Sequence, residues 1–170
     1  RHPLVANHIG RSHMETMVNA SSGREYLEWG VGGSTLFFRE RGFNVHSVEH
    51  SRVWASRVGG PNIVVVEAGT DVGGPYEEEI GGVKILDHPY ASVPNRMWPG
   101  KKFDVILVDG VLRNACLIAA KDMLAPGGRI YLHDAQRDWY DVAKAHYDWS
   151  SMGECLDYPG ATMWEGTLKC

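Results

Sequence analysis

Between Glu25 and Arg57 the chain reads EYLEWGVGGSTLFFRERGFNVHSVEHSRVWASR, an order that few folds accommodate. A short apolar run, Tyr26-Leu27, closes on Glu28-Trp29 and meets Gly30, Gly32 and Gly33. Ser34-Thr35 then opens a helical pattern with Leu36, Phe37 and Phe38 as its apolar residues and Arg39-Glu40-Arg41 as its polar end. Gly42 stops the helix as a C′ glycine does, by taking a left-handed conformation that other residues avoid. A β-rich run from Val45 to Val48 follows and ends in Glu49. Strand, glycine turn, helix and strand make one βαβ unit of ordinary size. Parallel strands joined by a crossover helix bind ligands outside their carboxyl ends. Glu28 and Glu49 both fall at such ends.

The rest of the chain continues this alternation. Ser51 is a suitable N-cap for a helix from Arg52 to Val58, which Gly59-Gly60-Pro61 ends. Asn62 to Val66 is a β-branched run that suits a strand buried on both faces. Glu67 to Gly74 reads as a loop. FDVILVDG, Phe103 to Gly110, is another buried strand ending in an acid, and Arg113 to Leu124 is a helix. Ala125-Pro126-Gly127-Gly128 turns the chain into a strand over Arg129 to Leu132 that ends in His133-Asp134. A helix over Trp139 to Tyr147 and an antiparallel pair, Gly153 to Asp157 with Thr162 to Leu168, complete the reading.

Two segments stand outside the pattern. Residues 1–24 carry His2, His8 and His13 and one helical stretch, Ile9 to Asn19, read as a covering helix. His8 and His13 are not at the i, i+4 spacing that shares a helix face, so they make no metal pair. Residues 72–100 hold two Gly-Gly pairs, four prolines and the acidic run Glu77-Glu78-Glu79. Two readings stand there: a solvated irregular hairpin with Val83 to Leu86 as one arm, or a substrate lid presenting Tyr90, Met97 and Trp98.

The length of 170 residues suits one domain, and 44% hydrophobic residues give it material for a core. A net charge of −4 argues against nucleic acid or an anionic membrane as partner. No apolar run approaches the ~18 residues of a membrane span. No signal-peptide pattern is visible either, and a cytoplasmic location is expected. The chain starts at Arg1 rather than Met, which leaves room for a segment upstream. Cys116, Cys155 and Cys170 lack metal spacing; Cys116 reads as a buried apolar residue. Apolar residues in 72–100 and in the N-terminal helix offer a homodimer contact.

The choice of ligand rests on what the glycine turn lacks. The dinucleotide fingerprint G-x-G-x-x-G/A is met by Gly30 and Gly32 but has Thr35 at its third position, and a P-loop lysine is absent. An acid before the glycines and another about twenty residues on remain. With E-x-G-x-G at Glu28 to Gly32, FDVILVDG and LAPGGRIYLHD, the chain resembles the class I S-adenosylmethionine-dependent methyltransferases from about Tyr26 to its C-terminus. The resemblance implies a Rossmann-like α/β domain with a mostly parallel seven-stranded sheet, helices on both faces and an antiparallel C-terminal strand. It implies that Glu28, Gly30, Gly32 and Ser34 border the methionine part of S-adenosylmethionine. Glu49 would hold the ribose hydroxyls, with His50 beside it. Asp71 or Glu67 would approach the adenine, and Asp109 the transferred methyl.

The implied activity is methyl transfer to a small-molecule acceptor, oxygen before nitrogen. His133 is the first choice of base, because an imidazole accepts a proton near neutral pH. Asp109 is a base, an orienting carboxylate or a cofactor contact, and Asp134 orients His133 or binds the acceptor. Arg113 and Arg137 could grip an acidic acceptor. Catechol-type members hold Mg²⁺ on acids matching Asp109 and Asp134, but Ala135 replaces their Asn, so no metal site is assigned. The rival readings are a nicotinamide-dependent oxidoreductase, which Thr35 disfavours, and a non-catalytic binding protein that keeps the fold.

Overall fold

The computed structural model describes residues 9–68, 79–80, 83–84, 87–140, 144–155 and 158–169. In chain order the elements are α1 (Arg11–Ala20), β1 (Glu25–Trp29), α2 (Gly33–Glu40), β2 (Asn44–Glu49), α3 (Arg52–Val58), β3 (Ile63–Val65), β4 (Glu79–Ile80), β5 (Val83–Lys84), α4 (Pro89–Met97), β6 (Phe103–Val108), α5 (Arg113–Ala120), β7 (Leu124–His133), β8 (Tyr147–Cys155) and β9 (Tyr158–Leu168). Seven strands form one sheet in the order β3-β2-β1-β6-β7-β9-β8. The first five are parallel, and β9 runs against both its neighbours. The expected Rossmann-like sheet with its reversed C-terminal strand is present.

Side chains alternate across the sheet, and each face has its own apolar cluster. Tyr26, Val45, Val105, Leu107 and Tyr131 pack with Met14 and Met17 of α1 and Phe37 and Phe38 of α2. Leu27, Val48, Ile106, Val108 and Leu132 pack with Tyr90, Ala91 and Val93 of α4 and Cys116 and Leu117 of α5. The helix ends follow the sequence. Gly42, at φ +77°, sends its N–H to Arg39 O (3.0 Å), and Phe43 N–H reaches Phe38 O (3.1 Å). That is a Schellman turn, and the Phe38 and Phe43 rings close it at 5.0 Å. Ser51 Oγ accepts Trp54 N–H (3.3 Å) and caps α3 as expected.

Several expectations are corrected. The 62–66 run is not a strand buried on both faces: β3 is the edge of the sheet, and Ile63, Val64 and Val65 are half-buried. Residues 72–100 contain both a hairpin, β4–β5, and a helix, α4. Pro89 suits the first turn of α4, where no N–H is needed, and His88 Nδ1 caps Tyr90 N–H (3.1 Å). Pro94 interrupts α4 and leaves Tyr90 O without its intrahelical donor; Trp29 Nε1–H, from β1, supplies the bond instead (2.9 Å). The three residues expected on a lid, Tyr90, Met97 and Trp98, differ in exposure. Tyr90 is wholly buried, Trp98 packs on His46 and Phe103, and only Met97 is exposed.

Of the expected 139–147 helix, the described residues show a 3₁₀ turn at Asp138–Tyr140 and a helical Lys144, residues 141–143 lie outside the described residues, and Tyr147 already belongs to β8. Tyr147 is buried in the core cluster, and its hydroxyl is satisfied by donating to Leu117 O of α5 (2.6 Å), a tertiary partner that periodicity cannot show. The strand before His133 begins at Leu124, taking in the Pro-Gly-Gly turn as an irregularity in its register with β6. Of the cysteines, Cys116 and Cys155 are buried free thiols, and Cys170 lies outside the described residues. No described helix is long and apolar enough to cross a membrane.

Candidate active site

The carboxyl ends of β1, β2 and β6 open on a cavity of about 290 Å³. Its floor is backbone against backbone. A Cβ at Gly30, where φ is +98°, would stand 3.0 Å from Gly110 N, and one at Gly110 would meet Gly30 N at 3.1 Å. Gly30 N–H donates to Val48 O (2.8 Å) and Asp109 N–H to Trp29 O (3.0 Å), so the three strand ends are laced together there. Glycine at both positions lets the turn after β1 lie on the turn after β6.

Of the expected cofactor residues, Gly30, Gly32, Ser34, Glu49, His50 and Asp109 line this cavity. Asp71 lies outside the described residues, and Glu67 is exposed and paired with Arg52 (2.7 Å). Glu49 is 3% exposed and held by main chain: Oε2 accepts Val31 N–H, and Oε1 accepts His50 and Ser51 N–H, each at 2.8 Å. His50 Nδ1 stands 2.9 Å from Oε1 but out of line for a hydrogen bond. One lone-pair direction on Oε2 remains for a ligand.

Glu28 departs from the expected contact. Its side chain is fully buried and faces the protein rather than the cavity. Oε2 accepts Tyr26 Oη–H (3.0 Å) and Ser34 Oγ–H (2.9 Å), and Oε1 accepts Thr35 Oγ1–H (2.5 Å) and Ser47 Oγ–H (2.8 Å). Thr35 Oγ1 in turn accepts Gly32 N–H (3.0 Å). The carboxyl thus ties the glycine turn and the start of α2 to β1 and β2. Burial pushes its pKa up to about 7, and the four hydroxyls only partly oppose this. Thr35, which breaks the dinucleotide fingerprint, has a structural use here.

At the ends of β6 and β7, His133 Nδ1 meets Asp109 Oδ1 at 2.8 Å. With Nδ1–H donated to the carboxylate, Nε2 carries the lone pair, and Nε2 is buried without a partner. His133 is 4% exposed and stands behind Asp109, which takes the place on the cavity wall. Asp134 Oδ2 is 3.8 Å from His133 Nδ1 and 3.7 Å from both Arg113 and Arg137. Arg113 does not reach out to an acceptor. Its Nε donates to Gly110 O (2.8 Å), Nη1 to His133 O (2.5 Å) and Nη2 to Asp109 O (3.2 Å).

Sequence reasoning missed Ile9, Val31, Trp54 and Val111, which also line the cavity. Trp54 carried a signal, an aromatic one turn into the helix after the second acid; the others carried none. Tyr140 and Lys144 show the Tyr-x-x-x-Lys spacing of some nicotinamide oxidoreductases, yet neither lines the cavity.

No protein-family model and no curated protein matches the chain. Solved structures do share its fold. A methyltransferase-like protein from Silicibacter pomeroyi is 22% identical over 95% of this chain and 88% of its own, with a TM-score of 0.60. A TehB-like S-adenosylmethionine-dependent methyltransferase from Corynebacterium glutamicum is 14% identical over 96% and 89%, TM-score 0.61. The 16S rRNA N2 G1207 methyltransferase of T. thermophilus, in complex with AdoMet and guanosine, is 14% identical over 99% of this chain and 41% of its own, TM-score 0.56. The fold is that of the class I methyltransferases.

Proposed function

We propose that this chain is an S-adenosylmethionine-dependent methyltransferase acting on the hydroxyl of a small molecule. The observation that carries the reading is Glu49, a carboxylate held by three backbone N–H groups at the edge of a glycine-floored cavity. A carboxylate so fixed suits a ribose hydroxyl, which the remaining Oε2 lone pair accepts in a charge-assisted bond. Its main-chain partners spare it reorganisation when the ligand arrives. Gly30 and Gly32 offer the close backbone approach that the methionine part needs. Among the described residues the cavity wall presents no lysine or arginine, as suits a ligand without phosphates.

Bound S-adenosylmethionine supplies a methyl already activated by a positive sulfur. The chain's own task is to hold the acceptor in line with it, which positioning alone can favour by ~7–11 kcal/mol. The Asp109–His133 pair would take the acceptor's proton as the methyl is transferred, Asp109 receiving it from the cavity wall and His133, hydrogen-bonded behind it, sharing the charge. A base of this kind suits a hydroxyl better than an amine already carrying its lone pair. The net charge of −4 favours a small molecule over a polyanion.

Calorimetric titration with S-adenosylhomocysteine and, separately, with NAD tests the reading. S-adenosylhomocysteine should bind and NAD should not. Glu49→Gln should weaken S-adenosylhomocysteine at least tenfold, about 1.4 kcal/mol. No binding by the wild type, or equal affinity in the variant, refutes it.

A further inference from the structure

We infer that Arg113 is the resident cation of this active site, a positioning residue that stands where catechol-type relatives hold a divalent metal. The two acids that match those metal ligands, Asp109 and Asp134, are both turned to its guanidinium. Nη2 is 3.4 Å from Asp109 Oδ1 and Nη1 is 3.7 Å from Asp134 Oδ2. The Arg113 side chain is only 12% exposed, so the cation belongs to the interior. Ala135, 2% exposed, gives no oxygen where the third ligand would be. A hard divalent ion needs oxygen donors and must not share them with a fixed positive charge. The donor set does not fit a metal and does fit an arginine.

The same side chain secures the strand ends. Its Nε, Nη1 and Nη2 donate to the carbonyls of Gly110, His133 and Asp109, drawn from two neighbouring strand ends. Both turns carry a residue in the left-handed region, Leu112 at φ +50° and Asp134 at φ +54°. For a bulky residue such as leucine this conformation is strained and persists only where neighbours enforce it. Arg113 ties the backbone of Asp109 to that of His133, and so sets the distance between the two side chains that meet at 2.8 Å. Charge and fork geometry are separate contributions, and lysine supplies only the first.

The test is calorimetric titration of the whole protein with Mn²⁺ alone, which needs neither cofactor nor acceptor. Wild type and Arg113→Lys should show no saturable Mn²⁺ binding. Arg113→Gln removes the charge and should bind Mn²⁺ at least tenfold more tightly, and adding Asp134→Asn should abolish the gain. Arg113→Lys should nevertheless melt below wild type, because an ammonium donates from a single point and cannot span the three carbonyls that the guanidinium fork reaches. Saturable wild-type binding that Asp134→Asn removes overturns the inference, whether or not Arg113→Gln folds. A folded Arg113→Gln that binds no tighter than wild type overturns it as well. The outcome is independent of the S-adenosylhomocysteine titration, so failure of one leaves the other standing.

Discussion

Replacing Glu28 by glutamine should change how stability depends on pH. In the native state burial lifts this carboxyl from 4.5 to about 7. Below pH 4.5 both states hold the proton and the site is neutral to stability. Between 4.5 and about 7 the unfolded chain releases a proton that the native state keeps, so the native state binds more protons and stability falls as pH rises. Above 7 both are ionised and the penalty is constant. Two and a half decades of proton affinity, at about 1.4 kcal/mol each, amount to roughly 3 kcal/mol, of which about 2.5 lies between pH 5 and 8. Glutamine has no such titration. It does leave one pair of hydroxyls facing an amide N–H₂, either Tyr26 with Ser34 or Thr35 with Ser47, an offset that is the same at every pH. Urea unfolding followed by tryptophan fluorescence reads the difference. With m near 2 kcal/mol/M, the wild-type midpoint should drop about 1 M more than the variant's from pH 5 to 8. Other titrating groups act on both proteins alike. Parallel losses in the two would show that Glu28 does not carry a raised pKa.

Two further perturbations probe the lacing of the strand ends. Gly110→Ala puts a Cβ 2.1 Å from Tyr90 Oη, so calorimetry should show reduced S-adenosylhomocysteine affinity and a melt lowered by about 1–3 kcal/mol, part of which Tyr90→Phe restores. Trp29→Phe strands Tyr90 O, since Pro94 cannot donate to it, and should cost about 1–3 kcal/mol. In a Pro94→Ala background the helix supplies that N–H, so the same Trp29 change should cost clearly less in a thermal double-mutant cycle; equal costs would refute the assignment.

The division between sequence and tertiary structure runs along the range of the forces involved. Local rules were enough for the βαβ unit: Gly42 ends α2 in the Schellman turn its position predicts, and Ser51 caps α3. Alternation and terminal acids placed Glu49 and Asp109 at strand ends, and both line the cavity. Whether an acid at a strand end faces a ligand or the protein is decided by what surrounds it. Glu28 and Glu49 read alike along the chain, yet Glu28 meets hydroxyls brought by β1, β2 and α2 and turns inward, while Glu49 meets main-chain N–H groups at the cavity. Arg113 looked like a ligand-binding arginine because its partners, the carbonyls of Asp109, Gly110 and His133, are set by two turns and a strand register. Backbone carbonyls carry no residue identity, so no pattern of side chains announces them. Local propensity and periodicity belong to the sequence; the direction in which a buried charge points belongs to the fold, because desolvation forces it toward whatever donors packing has gathered.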